Sequence, residues 1–289
     1  MLIEQNFILI IFLFFLCKSY NTYYTDYLIK HNNDIDNNYL ILVNSLFCFK
    51  VSYLLSPKLE KQNMIIPYDK YIIISGLTFM NSQLGLYCLN FISVSNKNII
   101  ALWRPIPIIL LKWFNNESIY YYQINGLIGI VIGSILLNIN NITNDTILGV
   151  SLMFLTLFSG GLNDKYQDNL LQKYKVNSLI LMYNVQIYRI IMSLCMIHNY
   201  INFIYFIQKY YLDLCLISLS QCGIQICIFY TLNNYGSYVN KINNNTFIIS
   251  YSVYELIVRD TYIAVEELFG LMFILYGIII NYVNLKKLV

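Results

Sequence analysis

The chain has 289 residues, of which 58% are hydrophobic and only 11% charged. That is more apolar surface than the core of one soluble domain of this length can absorb, so the excess must face lipid. The formal net charge of +3 comes from few charges with no basic tract, which excludes a partner that reads nucleic-acid phosphates.

A bilayer core of about 30 Å needs roughly 20 residues per helical span. Apolar runs with polar punctuation place candidate spans at 6–24, 39–55, 71–93, 97–113, 121–138, 147–161, 177–197, 211–231, 246–263 and 266–283, ten in all. The first has a compact apolar centre from Phe7 to Leu16, but it lacks a basic start and a small-residue cleavage site and is read as a membrane helix. The intervals 30–38, 57–69, 163–175 and 233–245 are polar and short, so residues 1–289 are expected to form one integral membrane domain. Cytosolic loops are enriched in Lys and Arg. With ten spans, Lys58, Lys61 and Lys70, then Lys112, then Lys165, Lys173 and Lys175, then Lys241, and finally Lys286 and Lys287 fall on one side, which makes both termini cytosolic.

Polar groups at bilayer depth are costly unless they face protein or water, so they point to the working surface. Arg104 enters the fourth span just before Pro105-Ile106-Pro107. Two prolines remove two backbone donors, and such irregular backbone is tolerated where it lines a cavity or is covered by protein. An arginine there suits a phosphate, because its planar fork of donors stays ionised; the alternative is an arginine snorkelling to the interface. Asn184, Gln186, Tyr188 and Arg189 lie within one and a half turns of the seventh span, and Ser220, Gln221 and Gln225 in the eighth. These side chains either read a base or sugar or form interhelical hydrogen bonds. Gly126, Gly129 and Gly133, and Gly270 and Gly277, are small faces for close helix packing. The seven cysteines lie in apolar stretches without metal-ligand spacing, and neither a Gly-Lys-Ser/Thr phosphate loop nor a cluster of catalytic acids is present. No enzyme activity, metal or cofactor is expected. Glu266 and Glu267 open the last span, where acids complement a helix N-terminus.

The stretch from Tyr71 to Leu111 resembles the third and fourth helices of the endoplasmic-reticulum nucleotide-sugar transporters of solute carrier family 35, subgroup B. There a Lys-Pro-Ile-Pro sequence stands where this chain has Arg104-Pro105-Ile106-Pro107, at an ungapped spacing from Asn90-Phe91-Ile92-Ser93. In the same order, Gly161-Leu162 with Gln167-Asp168 is similar to a Gly-Leu-x4-Gln-Asp motif of the sixth helix. Tyr183-Asn184-Val185-Gln186-Ile187-Tyr188 is similar to a Leu-Asn-Ile-Asn-Leu-Trp stretch of the seventh, and Gln225 to Phe229 with Gly236 to a Gln-x3-Phe and a later glycine.

This resemblance implies the drug/metabolite-transporter fold, an all-α membrane protein with two inverted five-helix repeats (roughly 1–140 and 146–289) around a central cavity. It also implies exchange of nucleotide-sugars or adenine nucleotides, of the kind carried by UDP-galactose or ATP/ADP exchangers. Arg104 would hold the phosphates, with Asn184, Gln186, Tyr188, Gln225 and Tyr251 placed toward base and sugar. Asp26 stands at a family acid position, to pair with a cavity base or to cap its helix. Two departures matter. Ala101 replaces a second lysine one turn before the Lys-Pro pair, and Val253-Tyr254 replaces an Arg-Lys pair of the ninth helix. Losing these cations removes Coulomb attraction for phosphate. A second reading is therefore a transporter-like protein that no longer transports and serves as a membrane partner. Lys286 and Lys287, third and fourth from the end, have the register of a dilysine signal read by coat machinery. That register favours the endoplasmic reticulum over the Golgi, although lysines after a span are also ordinary positive-inside anchors.

Overall fold

The computed structural model describes residues 2–31, 36–55, 67–138, 146–174, 177–258 and 264–285. All regular structure among them is helical: α1 (Leu2–His31), α2 (Asn37–Leu55), α3 (Tyr68–Tyr87) with a 3-10 turn at Cys88–Asn90, α4 (Val94–Ala101), α5 (Pro105–Phe114) and α6 (Tyr121–Asn138). They are followed by α7 (Ile147–Tyr174), α8 (Ser178–Met196), α9 (Tyr200–Lys209), α10 (Tyr211–Val258) and α11 (Val265–Leu285). The stretches Asn37–Leu55, Tyr68–Asn90, Ile147–Tyr174, Leu179–Met196 and Tyr211–Gly236 are each long and apolar enough to cross a membrane, and Tyr121–Leu137 is a shorter apolar helix. The protein is an all-α, multi-pass membrane protein.

Several helix starts are set by capping side chains. Ser93 Oγ accepts from Asn96 N at 3.2 Å, Asn177 Oδ1 from Leu179 N at 2.9 Å, and Asn199 Oδ1 from the amides of Ile201 and Asn202. Ala264 N donates to Glu267 Oε2 at 3.2 Å, the helix-start role expected of that acid.

Two expected connections are helix instead. The polar interval continues α7 without interruption from 163 as far as Tyr174, and Asn163, Asp164, Lys165, Gln167 and Asp168 are buried within it. The interval 233–245 lies inside α10, where Asn240, Asn243, Asn244 and Asn245 are buried. Amide and acid side chains that protein covers need not mark a loop, and hydropathy alone does not separate the two cases. The expected eighth and ninth spans meet at Gly236, whose φ of 82° and ψ of 174° interrupt the helix. That backbone conformation suits glycine because a side chain would clash there. The stretch after α8, outside the expected spans, forms the short α9. Lys165, expected in a cytosolic loop, is within α7.

The chain divides into two compact units, Met1–Gln83 with Tyr166–Gly236, and Leu84–Lys165 with Ser237–Val289. In the first, α2 packs on α8. Its interior holds Cys48, Tyr71, Ile74, Leu170, Leu181, Met182, Val185 and Phe229, and a further cluster forms around Leu28, Leu42, Ile197 and Leu214.

In the second unit α6 lies against α11. Gly126, Gly129 and Gly133 of one meet Gly270 and Gly277 of the other so closely that a Cβ on Gly129 would stand 3.1 Å from the Phe273 carbonyl oxygen. This is the small-residue packing read from the sequence, and it follows from association through close backbone contact where apolar side chains gain nothing over lipid. The opposite faces expose Ile124, Ile128, Ile132 and Ile135 on α6, and Leu268, Phe269, Met272, Tyr276 and Ile279 on α11. Spaced by three and four residues, they are stripes suited to acyl chains.

Candidate functional site

The stretch expected as the fourth span is broken where the prolines predict, into α4 and α5. Pro105 has no N–H for the Ala101 carbonyl and Pro107 none for the Trp103 carbonyl. The chain tightens in response: Arg104 N donates to Ala101 O at 3.2 Å and Ile106 N to Trp103 O at 2.9 Å, both three-residue bonds. This shift leaves the Leu102 carbonyl without its helical donor. Asn245 Nδ2, on α10, donates to it at 3.0 Å. Ala101, Leu102, Pro105 and Pro107 are buried, so protein covers the irregular backbone. Trp103 Nε1 donates to Ser134 Oγ at 2.6 Å, fixing the turn to α6.

Arg104 sits on this turn as the residue before α5. It is half-buried, and its Nε is buried with no hydrogen-bond partner among the described residues. The guanidinium lies within electrostatic reach of Asp164 on α7 and of the Cys88 thiol. α7 approaches the turn through Gly161, where a Cβ would lie 2.5 Å from Pro107 Cβ. Next to Asp164, Lys165 Nζ pairs with Glu117 Oε2 at 2.7 Å. Farther along the same unit, Tyr238 Oη donates to Asn281 Oδ1 at 2.8 Å, and Lys112 Nζ stands 5.7 Å from the Tyr238 ring centroid. Chemically, this unit presents an arginine with an unused donor, one nearby acid, and amides and a hydroxyl at buried positions. Such a set accepts an anion that also carries hydrogen-bonding groups.

Of the residues singled out in the sequence, Tyr251 belongs to the same unit as Arg104, where it is half-buried and stacks with Phe247 at 6.4 Å between ring centroids. Asn184, Gln186, Tyr188 and Gln225 belong to the other. There Asn184 Nδ2 donates to the Ile180 carbonyl at 3.0 Å, and the Asn184 side chain lies near the Tyr71 hydroxyl. Gln186 is buried with Oε1 unpartnered among the described residues. Tyr188 packs against the core that contains Tyr71, and Gln225 is half-buried in the first half of α10. Asp26 falls within α1, but its side chain is outside the described residues, as are Lys286 and Lys287.

Sequence reasoning missed Asp164, Lys165 and Asn245. The first two had a signal: Gly161, Asp164, Lys165 and Asp168 recur at intervals of three, four and seven residues, the spacing of one helix face. Asn245 had none, since capping a carbonyl broken by distant prolines is a tertiary event.

No protein-family model matches the chain. A solved crystal structure shares its fold over 98% of this chain and 99% of its own, with a TM-score of 0.67 at 10% identity. The solute carrier family 35 member B1 of Dictyostelium discoideum is 25% identical over 162 residues, which is 53% of this chain and 41% of that relative. In sequence the chain is thus similar to solute carrier family 35 over about half its length and under half of that relative's.

Proposed function

We propose that this protein is a secondary carrier of the nucleotide-sugar transporter type, exchanging a UDP-sugar-like molecule or a nucleotide across the endoplasmic-reticulum membrane. The observation that carries this reading is the Arg104 turn, a break in an apolar helical stretch whose arginine keeps a buried, unused donor. Repeat-built carriers place cargo at discontinuous helices, and a guanidinium, which stays protonated, binds phosphate oxygens there. The similarity to solute carrier family 35 member B1 supports the substrate class.

In this reading the chain has ten spans in two inverted five-span repeats, roughly 1–140 and 146–289. The helix pairing favours it. α2 and α8 are then the second and seventh spans and α6 and α11 the fifth and tenth, and each pair is in contact, as a two-fold relation between n and n+5 allows. Asn184, Gln186, Tyr188, Gln225 and Tyr251 meet base and sugar, and Asp26 is assigned to the cargo path. Both termini face the cytosol, where Lys286 and Lys287 engage coat machinery that returns the protein to the endoplasmic reticulum; residence in the Golgi is the alternative.

The test is uptake of labelled UDP-sugars, GDP-sugars and ATP into liposomes preloaded with UMP, ADP or GMP. Preload-stimulated uptake of at least one supports the carrier, and none from folded protein refutes it. The loss of family cations at Ala101, Val253 and Tyr254 favours a second reading, a non-transporting membrane partner. In that case the same liposomes give no exchange, and the purified protein shows no melting shift with any nucleotide.

A further inference from the structure

Arg189 lies in α8 three residues after Gln186, so the two share a helix face. Arg189 is only 4% exposed and Gln186 1%. Arg189 Nη2 donates to Ser82 Oγ on α3 at 2.7 Å. The Ser82 hydroxyl spends its own proton on the Thr78 carbonyl at 3.0 Å, so toward Arg189 it acts as an acceptor that orients the guanidinium without neutralising it. Arg189 Nε is buried with no acceptor, and Gln186 Oε1 buried with no donor, among the described residues. None of the ion pairs among the described residues involves Arg189, and the titratable group within its electrostatic reach among them is the Cys48 thiol.

A guanidinium keeps its charge in every accessible environment. Burying it against a hydroxyl and a thiol is costly, and the cost is recovered when an anion meets it. The unused Nε–H calls for an acceptor, while the unused Gln186 oxygen calls for a hydroxyl or N–H donor. We infer that the unit Met1–Gln83 with Tyr166–Gly236 holds an anion site of its own, in which Arg189 binds a phosphate oxygen and Gln186 accepts from a hydroxyl or N–H of the same ligand. Phosphorylated sugars and nucleotides are the class that carries both groups. The proposal deepens the carrier reading and rests on it only for the identity of the cargo: it places a cation on α8 in a chain that lacks the resembled family's cations at Ala101, Val253 and Tyr254.

The test is the melting temperature of the purified full chain in detergent, titrated with inorganic pyrophosphate and separately with UMP. Both probes raise it in the wild type. Arg189→Gln weakens both about tenfold to a hundredfold, the scale of one charge-assisted hydrogen bond. Arg189→Lys, which keeps charge and bulk, weakens both severalfold and decides the matter if the glutamine variant does not fold. Gln186→Leu weakens UMP but leaves pyrophosphate unchanged. Without ligand, Arg189→Gln melts at or above the wild type, because an uncompensated buried charge is gone. A lower ligand-free melting temperature with unchanged affinities would show a purely structural arginine and overturn the proposal, as would wild-type affinity in both Arg189 variants or no shift with either probe in the wild type. Pyrophosphate binding through Arg189 without any exchange in liposomes keeps this site and removes the carrier. Intact exchange with wild-type affinity in Arg189→Gln removes the site and keeps the carrier.

Discussion

Replacing Gly161 by alanine perturbs the packing that holds the Arg104 turn. The added Cβ would lie 2.5 Å from Pro107 Cβ and 3.3 Å from its Cγ, whereas carbon atoms rest about 3.5–4.0 Å apart. A proline ring cannot swing aside, so α7 and α5 must separate by about 1 Å. Overpacking of this kind costs about 1–3 kcal/mol, and alanine returns about 1 kcal/mol through its better helix propensity. The net expectation is a loss of about 0–2 kcal/mol. Gly76 is the control. A Cβ there would meet only Met192 Cε at 3.8 Å, an ordinary contact, so Gly76→Ala should gain about 1 kcal/mol. The gap between the two variants, about 1–3 kcal/mol, isolates the contact between α7 and the proline turn. Equilibrium unfolding in mixed SDS micelles measures it. Equal stability of the two variants would refute the close approach of Gly161 to Pro107.

The other structural predictions are shorter. Gly277→Leu should break the α6–α11 pair, because even a Cβ at Gly277 would sit 2.9 Å from Ile130 Cγ1 and 3.1 Å from the Ile130 amide nitrogen; a loss of about 3 kcal/mol or more is expected, read as rapid proteolysis of the detergent-purified protein. If the variant resists protease like the wild type, α6 and α11 are not in backbone contact. Asn245→Ala leaves the Leu102 carbonyl buried without its donor, which costs about 1–3 kcal/mol in SDS unfolding and should lower nucleotide affinity by loosening Arg104. An unchanged unfolding midpoint would mean that the proline break satisfies itself without α10.

The membrane class of the protein was legible from composition, because apolar content beyond one core has nowhere to go but lipid. The helices expected at 39–55, 121–138 and 177–197 were legible to within about two residues, since each is a clean apolar run between polar or capping residues such as Asn177. The proline break at Arg104 was legible too, as missing N–H groups act through local geometry. Illegible were the polar turns of α7 and α10. Asn163, Asp164, Lys165, Gln167 and Asp168, and Asn240, Asn243, Asn244 and Asn245, lie in helices with their side chains buried, and a single sequence records their polarity but not their cover. The same limit hid the Asp164 carboxylate near Arg104 and the amide of Asn245 on the Leu102 carbonyl, both of which join residues far apart in the chain. For the residues proposed to bind cargo, the sequence singled out Arg104 and Gln186 as polar groups within apolar runs. The structure added what matters chemically: Arg104 Nε and Gln186 Oε1 are buried and unused among the described residues.

The most direct measurement is preload-stimulated uptake of labelled UDP-sugar, GDP-sugar and ATP by liposomes containing the wild type, Arg104→Lys or Arg104→Ala at matched amounts of folded protein. A phosphate-binding arginine at the helix break predicts exchange in the wild type, a reduced rate with lysine, which keeps the charge but loses the two-donor fork, and none above protein-free liposomes with alanine. Exchange at the wild-type rate in Arg104→Ala would contradict it.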